Sequence, residues 1–222
     1  LNDYVNEGYL PEAVVNFLTL LGWHPTEDRE IISAEETIKD FSLKRVQKAG
    51  AVFNIEKLNW LNAQYAKIVP DERLFELLRP FIQNKEWIGE KEKILKIIVV
   101  EKGRMKLLSD FPPLAEMYFR LPDYAPEMLI WQNTSKEISA AALREAAGVL
   151  AAAEKERFSA PDLEKFLAPL AEKYGKGGIF WPLRTALSGQ KNSAGPLEIM
   201  AVLGKDESLR RLDVAAEKLN HS

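Results

Sequence analysis

Apolar side chains recur at three- and four-residue spacing along nearly the whole chain, the period of an amphipathic helix. Val14, Val15, Phe17, Leu18 and Leu21 form one stripe behind Pro11, and Gly22 closes it. Ser33-Ala34-Glu35-Glu36 has the spacing of a capping box and predicts a helix through about Phe41. Asn54 is the natural cap for the next, in which Leu58, Leu61 and Tyr65 recur on one face. Pro70 ends that unit, and Pro80 is expected to break or kink the following one. Glu90 to Val100 carries Ile94, Leu95, Ile97 and Ile98; Leu107 to Phe119 gives a further stripe, interrupted by Pro112-Pro113.

Leu121-Pro122-Asp123 is the best linker candidate. After it, Ser139 to Ala153 predicts an alanine-rich helix, and Ser159 caps a helix from Pro161 to Tyr174. Gly175, Gly177 and Gly178 then read as a helix end and turn, and Pro182 as the first turn of a new helix ending near Gly189. Gly195-Pro196 starts another, ended by Gly204, and a last helix runs through Leu219. No run of alternating apolar residues predicts a strand. The pattern predicts an all-α protein in two or three units.

Composition narrows the chemistry. Cysteine is absent, so neither a disulfide framework nor a thiolate metal site is available. No stretch has the apolar length of a membrane span, and the expected setting is cytoplasmic. The chain begins at Leu1, without Met or a signal peptide, and reads as a fragment of something longer. His24 and His221 share no ligand or triad spacing with other residues. The acid pairs Glu27-Asp28, Glu35-Glu36 and Asp71-Glu72 read as helix starts, where carboxylates favour the dipole. No catalytic residue and no metal ligand is nominated.

Net charge is −3, which disfavours indiscriminate polyanion binding and leaves local basic faces open. Lys91, Lys93, Lys96, Lys102, Arg104 and Lys106 crowd one stretch, a pattern that a solvated helix face also produces. A stronger signal lies between Glu172 and Glu198, where 25 residues pass without a carboxylate. Lys173, Lys176, Arg184 and Lys191 stand there among Tyr174, Phe180 and Trp181. Donor-only side chains, glycine backbone and aromatic faces are what an unstacked nucleobase and its phosphates require.

Four segments carry a family resemblance: GYLPEAVVNFLTLLGW from Gly8, AVFNIEKLNWLN from Ala51, WPLRTALSG from Trp181, and SAGPLEIMAVLGKDESLRRL from Ser193. Together they resemble the C-terminal half of bacterial-type glutamyl-tRNA synthetase, in order and over essentially the whole chain. The resemblance implies a helical stem-contact domain over 1–70 and two helical anticodon-binding domains over 71–121 and 122–222. The family's two catalytic signatures do not occur in this sequence. The chain is therefore expected to bind tRNA(Glu) without charging it, to need no cofactor, and to be a monomer. The parent enzyme would use ATP and Mg.

Carried over position by position, the resemblance places anticodon contacts at Arg184, Ser193 and Pro196. It places at Arg104 an arginine that favours glutamate tRNA over glutamine tRNA. The Pro196-Leu197 pair departs from the family's usual Gly-Leu-Phe. Lys57, Trp60, Lys67 and Lys96 match positions expected to face tRNA stems. Several residues also have a plainer reading: Trp60 and Trp181 as core, Arg184 as an ion-pair partner of Glu198, Arg104 as a helix cap, and Lys57 and Lys67 as solvated surface. A helical protein-interaction scaffold is the alternative for the whole chain.

Overall fold

The computed structural model describes residues 2–27, 29–47, 52–132 and 134–221. Ala51, which opens one of the matched segments, and Asp28, of one acid pair, lie outside them. The helices are α1 (Asn2–Glu7), α2 (Pro11–Gly22), α3 (Ala34–Asp40), α4 (Ile55–Ile68), α5 (Asp71–Ile82) and α6 (Lys91–Glu101). They continue with α7 (Phe111–Phe119), α8 (Lys136–Ala152), α9 (Ala160–Ser188), α10 (Pro196–Leu203) and α11 (Lys205–His221). Among the described residues the one β-type pairing is an isolated bridge, Trp23 with Val46. The fold is all-α. It divides into two compact units, residues 1–113 and 114–222.

In the first unit, Tyr9, Val14, Phe17, Leu58 and Leu61 bring α2 and α4 together around one core cluster. Two buried asparagines order the surrounding turns. Asn16 Oδ1 accepts from the Ile32 amide at 3.0 Å and from the Tyr65 hydroxyl at 3.0 Å. Asn62 Oδ1 accepts from the Leu10 amide at 2.7 Å, and its Nδ2 donates to the Lys106 carbonyl at 2.6 Å. Asn62 is thus paired at both polar atoms, as buried amides generally are, whereas Asn16 Nδ2 is buried without a partner among the described residues. Gly8 holds φ +103°, and a Cβ there would stand 2.7 Å from the Ser109 amide nitrogen. Only glycine takes that conformation at that distance without strain.

The second unit packs α8, α9 and α11 side by side, with α10 against α9. Ala142 and Ala146 of α8 are fully buried, so the alanine-rich face serves close helix approach. Arg211 of α11 has no solvent exposure. It donates to the Met117 carbonyl at 2.8 Å, the Leu187 carbonyl at 2.5 Å and Glu207 at 2.7 Å. The two carbonyls lie in the last turns of α7 and α9, where a helix has no internal donor to offer.

Two of the expected caps form, whereas Ser159 precedes α9 without a side-chain cap bond, its hydroxyl donating to Asp162, and several proline expectations do not hold. The Ser33 capping box forms in both directions, and Asn54 caps α4 through the Lys57 amide. Pro80 does not break α5, which runs on to Ile82. Pro112 and Pro113 do not interrupt α7; they sit in its first turn, where the missing amides had no partner anyway. The alanine-rich helix begins at Lys136 under a Ser135 cap, one turn before Ser139. Glu27 lies in a bend, not at a helix start, and pairs with Arg29 at 3.2 Å. Leu121-Pro122-Asp123 packs within the second unit, where a Cβ on Gly189 would stand 3.0 Å from the Pro122 carbonyl oxygen.

The expected helix end after Tyr174 is present as a kink: α9 is two helical arms joined at Gly175 (φ 76°, ψ 154°). The departure is that the second arm begins at once, with no turn between them. Gly177, Gly178 and Pro182 are therefore helical, and most of the carboxylate-free stretch is helix, not loop. Pro182 stands in the interior of the second arm, where it leaves the Gly178 carbonyl without its usual donor.

Candidate nucleic-acid interface

The nominated residues fall into three groups. Lys57, Trp60 and Lys67 share α4; Trp60 and Lys67 are seven apart, which places them on one face. Trp60 is 41% exposed, so the core reading fails for it. Lys57 Nζ lies 4.9 Å from the Trp60 ring centroid and is also ion-paired with Glu30. Lys67 is exposed at the end of the same helix.

The second group is on α6 and the turn after it. Lys96 is exposed on the helix. Arg104 lies three residues past Glu101, and its Nη1 donates to Glu101 Oε2 at 2.7 Å. Glu101 is fully buried, whereas the Arg104 side chain is 31% exposed. Sequence reasoning missed this acid, because a glutamate in the last turn of a lysine-rich helix reads as surface.

The third group surrounds the end of α9. Arg184 lies inside the helix and not in a first turn, since Pro182 is itself interior. Its Nε is buried without a hydrogen-bond partner among the described residues. No Arg184–Glu198 ion pair forms among the described residues. The Glu198 carboxylate instead folds back over its own helix start, 2.2 Å from where a Gly195 Cβ would be. Gly189 ends α9 in the left-handed region (φ 66°), its amide bonded to the Thr185 carbonyl at 2.8 Å. The chain then crosses to α10, where Ser193 is half-buried, its hydroxyl donating to the Ala194 carbonyl at 3.0 Å, and Pro196 is buried at the first helical position.

Two residues of the carboxylate-free stretch are not free of carboxylates in space. Lys173 donates to both oxygens of Glu145 at 2.6 and 2.8 Å, and the Tyr174 hydroxyl donates to the same group at 2.8 Å. The Lys173 bond holds the Glu145 carboxyl below its ordinary range, and that pairing raises the Lys173 ammonium. Trp181 is half-buried and anchored, its Nε1 donating to the Met128 carbonyl at 2.9 Å with the Trp131 ring 4.9 Å away. What remains on this surface is Lys176, Lys191 and the Arg184 side chain. Among the described residues no cluster of side chains has the makings of a metal site. No described helix is long and apolar enough to cross a membrane.

Known proteins resemble this chain over nearly its whole length. Residues 73–216 match the family model of an anticodon binding domain, and residues 1–60 match that of the class I (E and Q) tRNA synthetase catalytic domain. A glutamate–tRNA ligase of Clostridium kluyveri is 33% identical over 98% of this chain and 45% of its own length. Glutamate–tRNA ligase 1 of Caldanaerobacter subterraneus is 35% identical over 97% of this chain and 45% of its own. The crystal structure of a glutamate tRNA ligase from Elizabethkingia meningosepticum, in complex with its amino acid, superposes with a TM-score of 0.82. That match is at 31% identity over 97% of this chain and 43% of the other. The chain thus spans less than half the length of these relatives. With 73–216 matched, the chain belongs to the anticodon-binding domain family.

Proposed function

We propose that this chain is the tRNA-recognition portion of a glutamate–tRNA ligase. Residues 1–70 contact tRNA stems, and 71–121 and 122–222 read the anticodon. The catalytic part of the parent enzyme attaches glutamate to the 3′ end using ATP and Mg. The observation that carries the reading is the anticodon-binding match over 73–216, together with similarity across 98% of this chain to part of a glutamate–tRNA ligase. Lys57, Trp60, Lys67 and Lys96 hold phosphate and sugar, contacts that position RNA without reading it. Arg184, Ser193 and Pro196 line the anticodon site, Arg184 supplying donors to a base edge or phosphate.

Arg104 gives strictness. Glutamate anticodons end in C and glutamine anticodons in G. An exposed cytosine edge offers two acceptors beside one donor, whereas a guanine edge offers two donors beside one acceptor. Arginine only donates, so it suits cytosine and leaves guanine donors unpaired, at about 1–3 kcal/mol. Arg104→Gln should narrow the preference for glutamate over glutamine tRNA.

The deciding experiment is binding of glutamate tRNA and an unrelated tRNA across a salt series. Binding of the glutamate tRNA that is tighter and weakens with salt supports the reading. Salt-insensitive or absent binding favours the protein-interaction scaffold. The purified chain should also show no glutamate-dependent ATP–pyrophosphate exchange. Measured exchange, with contaminating enzyme excluded, would refute the absence of catalysis, a point sharpened by the catalytic-family match at 1–60.

A further inference from the structure

A fully buried carboxylate is rare unless it is paired, and Glu101 spends its burial on a side chain that faces solvent. Arg104 Nη1 reaches Glu101 Oε2 at 2.7 Å. The Arg104 amide also bonds to the Glu101 carbonyl at 2.8 Å, closing the turn through Gly103. This turn is pinned on both sides. Before Gly103, Lys102 Nζ meets Asp71 at 2.7 Å, tying the end of α6 to the start of α5. After Arg104, Met105 is buried, and Asn62 of α4 bonds to the Lys106 carbonyl at 2.6 Å. The backbone of Arg104 is thus held by α4, α5 and α6, and its guanidinium is held from beneath by a charge.

We infer that Glu101 is a positioning residue: it fixes the Arg104 guanidinium so that its solvent edge meets the last anticodon base as a pre-oriented fork of donors. The inference rests on the anticodon reading of Arg104 given above. A free arginine side chain samples many rotamers, and recognition must remove that freedom. A carboxylate below the guanidinium removes it before RNA arrives and leaves the pair's cationic edge outward. An exposed acid at the same distance would instead repel the neighbouring phosphates.

Two substitutions separate charge from geometry. Glu101→Gln keeps the volume and one acceptor but removes the charge. Glu101→Asp keeps the charge and withdraws it by one methylene. The probes are two anticodon stem-loop RNAs that differ only in the last anticodon base, C or G, titrated against the chain across a salt series. Both variants should lower the preference for C by about five- to tenfold, the scale of a weakened charge-assisted hydrogen bond. The salt slope should not change, because no phosphate contact is lost. Combining either variant with Arg104→Gln should produce no further loss. If Glu101→Gln fails to fold, Glu101→Asp decides. Unchanged preference in a natively folded Glu101 variant, while Arg104→Gln does narrow the preference, overturns the positioning role alone. If Arg104→Gln leaves the preference intact, the anticodon reading of Arg104 falls, and the positioning role with it.

Discussion

Arg211→Met should unfold the second unit far more readily than its conservative volume change implies. Arg211 is fully buried and serves three partners on three helices: Met117 on α7, Leu187 on α9 and Glu207 on α11. Methionine fills much of the same space but donates nothing. Two carbonyls in the last turns of their helices would lose a charged donor, at about 1–3 kcal/mol each. Glu207 keeps Arg210, whose Nε and Nη2 both reach it at 2.7 Å, so that acid is not stranded. The total should be about 3–5 kcal/mol, the usual cost of removing one partner from a buried charged network. For a unit of this size that corresponds to a melting point lower by roughly 15–25 °C.

The assay is hydrogen exchange of α9 and α11 amides alongside urea unfolding, so that the second unit is followed separately from the first. A loss below about 1 kcal/mol would mean the carbonyls find water or other donors, and the keystone reading would be wrong. The acid response provides an independent check. Glu207 is held at about 2, chiefly by its hydrogen bond from Arg210, against an ordinary 4.5. A depressed carboxylate stabilises the fold above its unfolded value and loses that contribution as pH falls towards its folded value. Stability should therefore decline between about pH 4.5 and 2. The full displacement corresponds to about 3 kcal/mol, but the side chain is 31% exposed, and solvent screening leaves about 1–2.

Three other outcomes follow from the geometry. Gly8→Ala adds a Cβ 2.7 Å from the Ser109 amide nitrogen at φ +103°; it should cost about 2–4 kcal/mol in the first unit, and native-like urea unfolding would contradict that. Arg184→Ala should weaken tRNA binding by about 1–3 kcal/mol with helicity and melting unchanged, since no carboxylate in the described residues depends on it; loss of fold would make Arg184 structural. Lys67→Ala and Lys96→Ala should each flatten the salt slope by about one unit for cognate and non-cognate tRNA alike, and Lys57→Ala should do less because Glu30 already neutralises it; a changed preference between tRNAs would show these lysines to be misassigned.

What the sequence disclosed follows from the range of the forces involved. The Ser33 box and the Asn54 cap are settled within four residues, so sequence suffices for them. Proline was misread wherever tertiary packing overrode it. Pro80 and Pro182 each give up one intrahelical bond, but buried residues flank them, Leu78 and Ile82 in one helix, Leu183 and Ala186 in the other. Burying a side chain of that kind contributes about 1.5–3 kcal/mol, which offsets the lost bond and lets the helix continue past the proline. No window of a few residues contains that comparison.

The partner of a charge is legible only when it is local. The carboxylate-free stretch was a true feature of the sequence, yet its first cation already has an acid, Glu145, held opposite it by the packing of α8 on α9. Conversely, the charged stretches around Arg211 and Glu101 read as solvated surface, although both side chains are fully buried. Coulomb energy depends on distance and on the medium between the charges, and the fold sets both. A basic run in a sequence is therefore a list of candidates. In this chain the fold leaves Lys67, Lys96 and Arg184 facing outward or half-outward with no carboxylate bonded to them among the described residues. It gives Lys57 and Lys173 to acids, and Arg104 to one that lies beneath it. The residues best placed to meet RNA are those whose charge the protein has not already used, together with the one arginine whose buried partner aims it.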